Sequence, residues 1–127
     1  VSSLVFGSED IGTGPATVFL QPGKGITADP TSTSQVPMAF AGTVTAMFVR
    51  HNTAIGTGVT VTYTVMINNV ASAITATLVT NAVVQGSDTV HTAAFNAGDT
   101  VALRAVSNGN IGNGNQDIVV CLKVVAS

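Results

Sequence analysis

Val59, Val61, Tyr63, Val65 and Ile67 alternate with Thr60, Thr62, Thr64, Met66 and Asn68. A period of two over ten residues specifies a β-strand with one buried face. The polar partner is mostly threonine, whose branched side chain suits a pleated surface but brings no charge. Only 8% of the chain is charged, against roughly 25% in an ordinary soluble domain. Exposed strands normally carry charge that discourages pairing with other chains. The expectation is an all-β module whose outward faces are covered by partners, in the first instance copies of itself.

The same pattern recurs along the chain. Candidate strands are 4–6, 16–21, 35–40, 43–51, 59–68, 73–79, 89–95, 100–106 and 116–125. No helical stretch intervenes to carry a parallel crossover, so the sheets are expected to be antiparallel. Asn68-Asn69 is a tight hairpin candidate, because Asn tolerates the positive φ of a two-residue primed turn. Asn96 to Thr100 is a second sharp connection, with Gly98 supplying backbone freedom. Longer loops at 22–34, 52–58, 80–88 and 107–115 favour a Greek-key or jelly-roll β-sandwich over a simple meander. A length of 127 residues suits a single domain, 1–127, with 1–14 a candidate N-terminal arm.

Val61, Tyr63, Val65 and Ile67 should face inward together, as should Ile74, Ala76 and Leu78, and Val101 and Leu103. The strand at 43–49 is ambiguous: Val44, Ala46 and Phe48 form one apolar face, Met47 and Val49 the other. The strand at 116–125 is also apolar on both faces. A strand apolar on both faces is expected to be buried on both, and in a two-sheet sandwich the second face would meet another chain. Met47, Val49, Val119 and Cys121 are therefore the candidate assembly face.

Composition excludes several function classes. The four basic residues, Lys24, Arg50, Arg104 and Lys123, do not cluster, so neither nucleic acid nor an anionic membrane surface is an expected partner. No apolar run approaches the roughly 20 residues of a membrane helix. A small transmembrane barrel would also show alternating strands, but one Tyr and no Trp leave no aromatic girdle. Cys121 is the single cysteine and reads as a small buried hydrophobe, the other reading being an intermolecular disulfide.

No catalytic constellation is legible, and the chain is not expected to be an enzyme. Ser87, Asp88 and His91 supply the residue types of a hydrolase. On a continuous strand, however, positions i and i+3 face opposite ways and would not meet. His51 and His91 lack neighbouring ligands at zinc spacing and are expected at the surface or at loop edges. No resident cofactor is expected. The one metal worth weighing is Ca²⁺, at Glu9-Asp10 or at Asp88 with nearby carbonyls. Asn108, Asn110, Asn113 and Asn115 make the Gly- and Asn-rich loop 107–115 a candidate recognition loop. A glycan partner fits its hydrogen-bonding side chains, although no aromatic platform accompanies them.

Ala41-Gly42-Thr43-Val44-Thr45-Ala46-Met47-Phe48-Val49-Arg50 resembles the AGT-L-x-x-L-x-V-R strand of a group of phage and bacterial surface proteins. Val61 to Val70 resembles that group's TFTV-x-x-NGV hairpin, with Asn68-Asn69 in place of Asn-Gly. Gly86-Ser87-Asp88-Thr89 and Ala97 to Arg104 resemble its GSDT and AGD-x-V-x-L-R elements. The group comprises head-fibre, tail-fibre and decoration domains of tailed phages. More distantly, it is similar to trimeric TNF/C1q-like domains and to the tips of collagen-like spore-surface proteins. The resemblance implies a jelly roll, a homotrimer, and attachment to virion proteins such as capsid or tail at the virion surface. Two other readings stay open. One is an extracellular filament subunit on a bacterium or archaeon, polymerised by strand addition of 1–14. The other is a glycan-binding adhesion module.

Overall fold

The computed structural model describes residues 2–9, 11, 15–23, 25–27, 34–52, 55–56, 58–79, 85–110 and 117–127. Among these, every regular element is a strand. They are β1 (Ser2–Ser8), β2 (Ala16–Pro22), β3 (Ile26–Thr27), β4 (Val36–Pro37), β5 (Gly42–Arg50), β6 (Thr60–Ile67), β7 (Val70–Val79), β8 (Gln85–Asp88), β9 (Ala93–Phe95), β10 (Thr100–Ser107) and β11 (Ile118–Ala126).

All pairings are antiparallel. The first sheet runs β1-β11-β5, with β8 and β9 end to end along the far edge of β5. The second runs β7-β6-β10-β2, with β3 on β2 and β4 on β10. A short β1–β2 ladder joins them. Strands distant in sequence therefore lie side by side: β10 between β6 and β2, and β11 between β1 and β5. This is an antiparallel jelly-roll β-sandwich of the TNF/C1q-like type.

The core follows from the alternation. Val61, Tyr63, Val65, Ile74, Leu78, Val101, Leu103, Val120 and Leu122 are fully enclosed between the sheets. The hairpin forms as its residues dictate, with Asn68 at φ 49° and Asn69 at φ 67°, both in the left-handed region of a type I′ turn. Val36–Pro37 is all that becomes strand within the expected 35–40. The expected 89–95 strand is displaced: β8 ends at Asp88, and β9 resumes only at Ala93.

The ambiguous strand resolves through a bulge. Ala46 stands opposite Lys123 and Val44 opposite Val124, which leaves Thr45 as an extra residue on β5. An extra residue reverses the phase of alternation. Val44 faces inward before the bulge, Met47 and Val49 after it, and Phe48 faces out. The two apolar faces of β5 are thus largely one inward face read in two phases. The second sheet corrects the expectation differently. Phe19, Met66 and Ala102 lie on the side away from the core, yet they form a buried cluster within the chain itself. Residues expected as an arm contribute β1, which pairs along its whole length with β11 and is integral to the sandwich.

Candidate functional site

The outer face of the first sheet is where apolar side chains reach solvent together. Registers of β1, β11, β5 and β8 set out two rows. One is Val5, Cys121, Phe48 and Ser87; the next is Gly7, Val119, Arg50 and Gln85. Phe48 and Val119 are 50% exposed and Val5 44%, with Cys121 partly exposed between them. Two hollows flank Val119. One is lined by Phe48, Arg50, Gln85, Ser87 and Cys121; the other by Val5, Gly7, Gly23 and Asp117. The Arg50 guanidinium donates to Gln85 Oε1 at 3.3 Å.

The expected assembly face therefore divides. Met47 and Val49 are buried in the core and belong to no surface, because the Thr45 bulge turned them inward. Val119 and Cys121 do face outward. Phe48 and Val5 take the places that sequence had given to Met47 and Val49. A bulge carries no sequence signature here, although the surplus apolar residue in Val44–Val49 is its trace.

The candidate recognition loop is partly structural. Asn108 Oδ1 accepts the Thr60 N–H at 2.8 Å, and the Asn108 N–H donates to the Thr60 carbonyl at 3.2 Å. This clamps the end of β10 to the start of β6. Asn110 is exposed and already engaged in further contacts. Asn113 and Asn115 lie outside the described residues.

Asp88 and His91 meet, against expectation. The chain leaves the strand after Asp88, so strand alternation no longer governs their spacing. Asp88 is buried. One carboxylate oxygen accepts the N–H groups of Val90 at 3.0 Å and His91 at 3.1 Å. The other accepts the Thr75 N–H at 3.1 Å and the His91 ring at 2.8 Å. An ionised carboxylate only accepts, so His91 Nδ1 carries the proton. Burial alone would raise the Asp88 carboxyl, but the His91 and Val90 N–H groups, the His91 ring and the Thr75 N–H hold it well below the usual carboxylate range. Thr75 lies on β7, at the end of the other sheet, so Asp88 fastens the two sheets along their open side. Ser87 alternates to the outer face and is no part of this pair. The constellation is a clasp, without a nucleophile.

His51 also departs from expectation. It is fully buried at the end of β5, and its Nε2 shares a 2.5 Å hydrogen bond with the Tyr63 hydroxyl. The two rings stand edge to face with centroids 5.8 Å apart. Burial pushes the Tyr63 phenol up, which keeps it protonated. Among the described residues no three His, Cys, Asp or Glu side chains gather into a metal-holding group. Asp10 lies outside them.

No protein-family model matches the sequence, and no curated protein does. Solved structures do match in fold. The CBM36-1 domain of a multidomain xylanase from the hindgut metagenome of Trinervitermes trinervoides superposes with a TM-score of 0.50 at 10% identity, covering 99% of this chain and 100% of that one. Murine APRIL at pH 5.0 superposes with a TM-score of 0.50 at 10% identity, covering 96% and 99%. The Podospora anserina GH26-CBM35 β-(1,4)-mannanase gives a TM-score of 0.47 at 20% identity, and the chain spans 28% of its length. At 10% identity the two superpositions with a TM-score of 0.50 speak to architecture alone, and the architecture is a jelly roll.

Proposed function

We propose that this chain is a non-catalytic jelly-roll module that assembles with copies of itself through the outer face of its first sheet. It would sit at the surface of a virion or a cell, with its loops turned toward capsid, tail or host. The observation that carries the reading is Phe48, a half-exposed aromatic ring between Cys121 and Ser87 on a face where Val5 and Val119 are also bare. Large apolar side chains grouped on one face mark an interaction surface. The test is Phe48→Ser. Phe48 points away from the core, so the variant should keep the wild-type circular dichroism and lose native mass in light scattering. An unchanged mass would remove this face from the assembly.

A second reading is glycan binding. The fold shared with a carbohydrate-binding domain supports it, and no comparable support attaches to the virion placement. The hollow beside Phe48 also combines an aromatic ring with the Arg50, Gln85 and Ser87 side chains, a mixture suited to sugar hydroxyls. Saturable binding on a glycan array, abolished by Phe48→Ser, would favour this hollow; loss on mutating Asn110 or Asn113 would favour the loop. A discrete oligomer with no glycan binding would favour assembly alone.

A further inference from the structure

The second sheet is built of neutral side chains with one exception. Among its strands, Arg104 on β10 is the one charged residue. Leu103 and Ala105 face the core, so Arg104 points to the outer face. β10 is a central strand, and Arg104 stands there between Thr64 of β6 and Phe19 of β2. The next row along the face is Thr77, Thr62, Val106 and Thr17. Thr17 and Thr77 are exposed, and the Thr62 and Thr77 hydroxyls share a 3.1 Å hydrogen bond.

The guanidinium is held in an unusual way. Arg104 is half-buried, and its Nε is shut off from solvent with no hydrogen-bond partner among the described residues. The terminal nitrogens are not shut off in this way. Packing therefore fixes the stem and leaves the outer fork presented. An enclosed donor without an acceptor weakens a fold. Such a cost, kept at the one charged position of a neutral sheet, points to a ligand that offsets it.

We infer that Arg104 marks a binding site for the carboxylate of an acidic sugar on the outer face of the second sheet. The site rests on the glycan reading above and gives it a ligand class and a second face. Two terminal nitrogens match the two oxygens of one carboxylate. A polyanion would need several cations, and these strands offer one. The threonine hydroxyls of the neighbouring row both donate and accept, as sugar hydroxyls require, and Val106, 37% exposed, gives the ring an apolar contact.

The experiment is an amide and arginine NMR titration of the whole chain with D-glucuronate, with D-glucose and acetate as controls, beside thermal melts. Glucuronate should shift the Arg104 Nε–H and the β10 amides saturably, and each control should bind at least tenfold more weakly. Arg104→Met should abolish this binding while leaving Tm equal or higher, because an enclosed donor is removed. Arg104→Lys keeps the charge without the planar fork and should also weaken binding tenfold or more. Equal binding of glucose and glucuronate, or binding retained in Arg104→Met, would overturn the site. A lower Tm in Arg104→Met would make Arg104 a structural residue and overturn it too. If neutral glycans bind and Phe48→Ser abolishes this while Arg104→Met does not, the glycan reading stands and this site is wrong. If neither glucuronate nor any glycan binds, both are wrong. If glucuronate does not bind and Arg104→Met lowers the native mass, the carboxylate belongs to a partner protein and the sugar is wrong.

Discussion

Replacing Asp88 by Asn removes the charge from the clasp while keeping its shape. Four N–H donors converge on the two carboxylate oxygens. An amide offers one acceptor oxygen and turns an NH₂ toward donors. Two of the four contacts are then lost, and those that remain are no longer charge-assisted. Hydrogen bonds to charged groups contribute about 1.5–3 kcal/mol each, and water reaching the freed donors returns part of that. A net loss of about 3 kcal/mol is expected, out of the roughly 5–15 kcal/mol that hold a domain together. In a chain of this size it should lower Tm by roughly 10 °C. The pH dependence has a definite sign. The folded-state carboxyl lies below its ordinary value, so the contribution is fully present above the unfolded pKa of about 3.9. It is lost as pH falls through the folded-state value. Urea melts of wild type and Asp88→Asn at pH 7 and at decreasing pH below 4 provide the assay. The gap should be wide at pH 7 and close toward the acid end. A gap under about 0.5 kcal/mol at pH 7, or one that persists undiminished in acid, would refute the clasp.

Tyr63→Phe deletes the hydroxyl that partners buried His51 and should cost about 1–2 kcal/mol in a urea melt, the scale of a hydrogen-bond partner lost in a core. Gly42→Ala places a methyl 2.6 Å from the Val125 carbonyl oxygen and 2.9 Å from the Phe95 ring, and overpacking against backbone should destabilise by about 1–3 kcal/mol. Asn69→Ala asks an alanine to hold φ 67° and should cost about 1 kcal/mol. Asn69→Gly should leave Tm equal or higher, because the left-handed region carries no penalty there.

Sequence reasoning was strongest where alternation runs uninterrupted. The inward sets of β6, β7 and β10 and the type I′ turn at Asn68-Asn69 were legible, because each rests on local periodicity or backbone preference. It failed where one residue shifts the phase. The Thr45 bulge turns Met47 and Val49 inward and leaves Phe48 outside, and nothing local announces a bulge. It failed again where a strand stops short. Asp88 and His91 were placed on opposite faces of a strand that in fact ends at Asp88, and their meeting depends on Thr75 from a distant strand. His51 looked like a loop-edge imidazole because its partner, Tyr63, lies across the fold rather than nearby in sequence. The inference that doubly apolar strands need a foreign partner was too broad. The Phe19, Met66 and Ala102 cluster is buried within the chain, while on the first sheet Val5, Phe48 and Val119 stand bare in adjoining rows.

The central claim is that this bare face is covered by another copy. The most direct measurement is native mass by light scattering after gel filtration, over at least a hundredfold range of concentration. The account predicts a discrete multiple of the 12.7 kDa chain, most simply three copies, that falls toward one copy in Phe48→Ser. A wild-type protein that remains at 12.7 kDa at every concentration would contradict it.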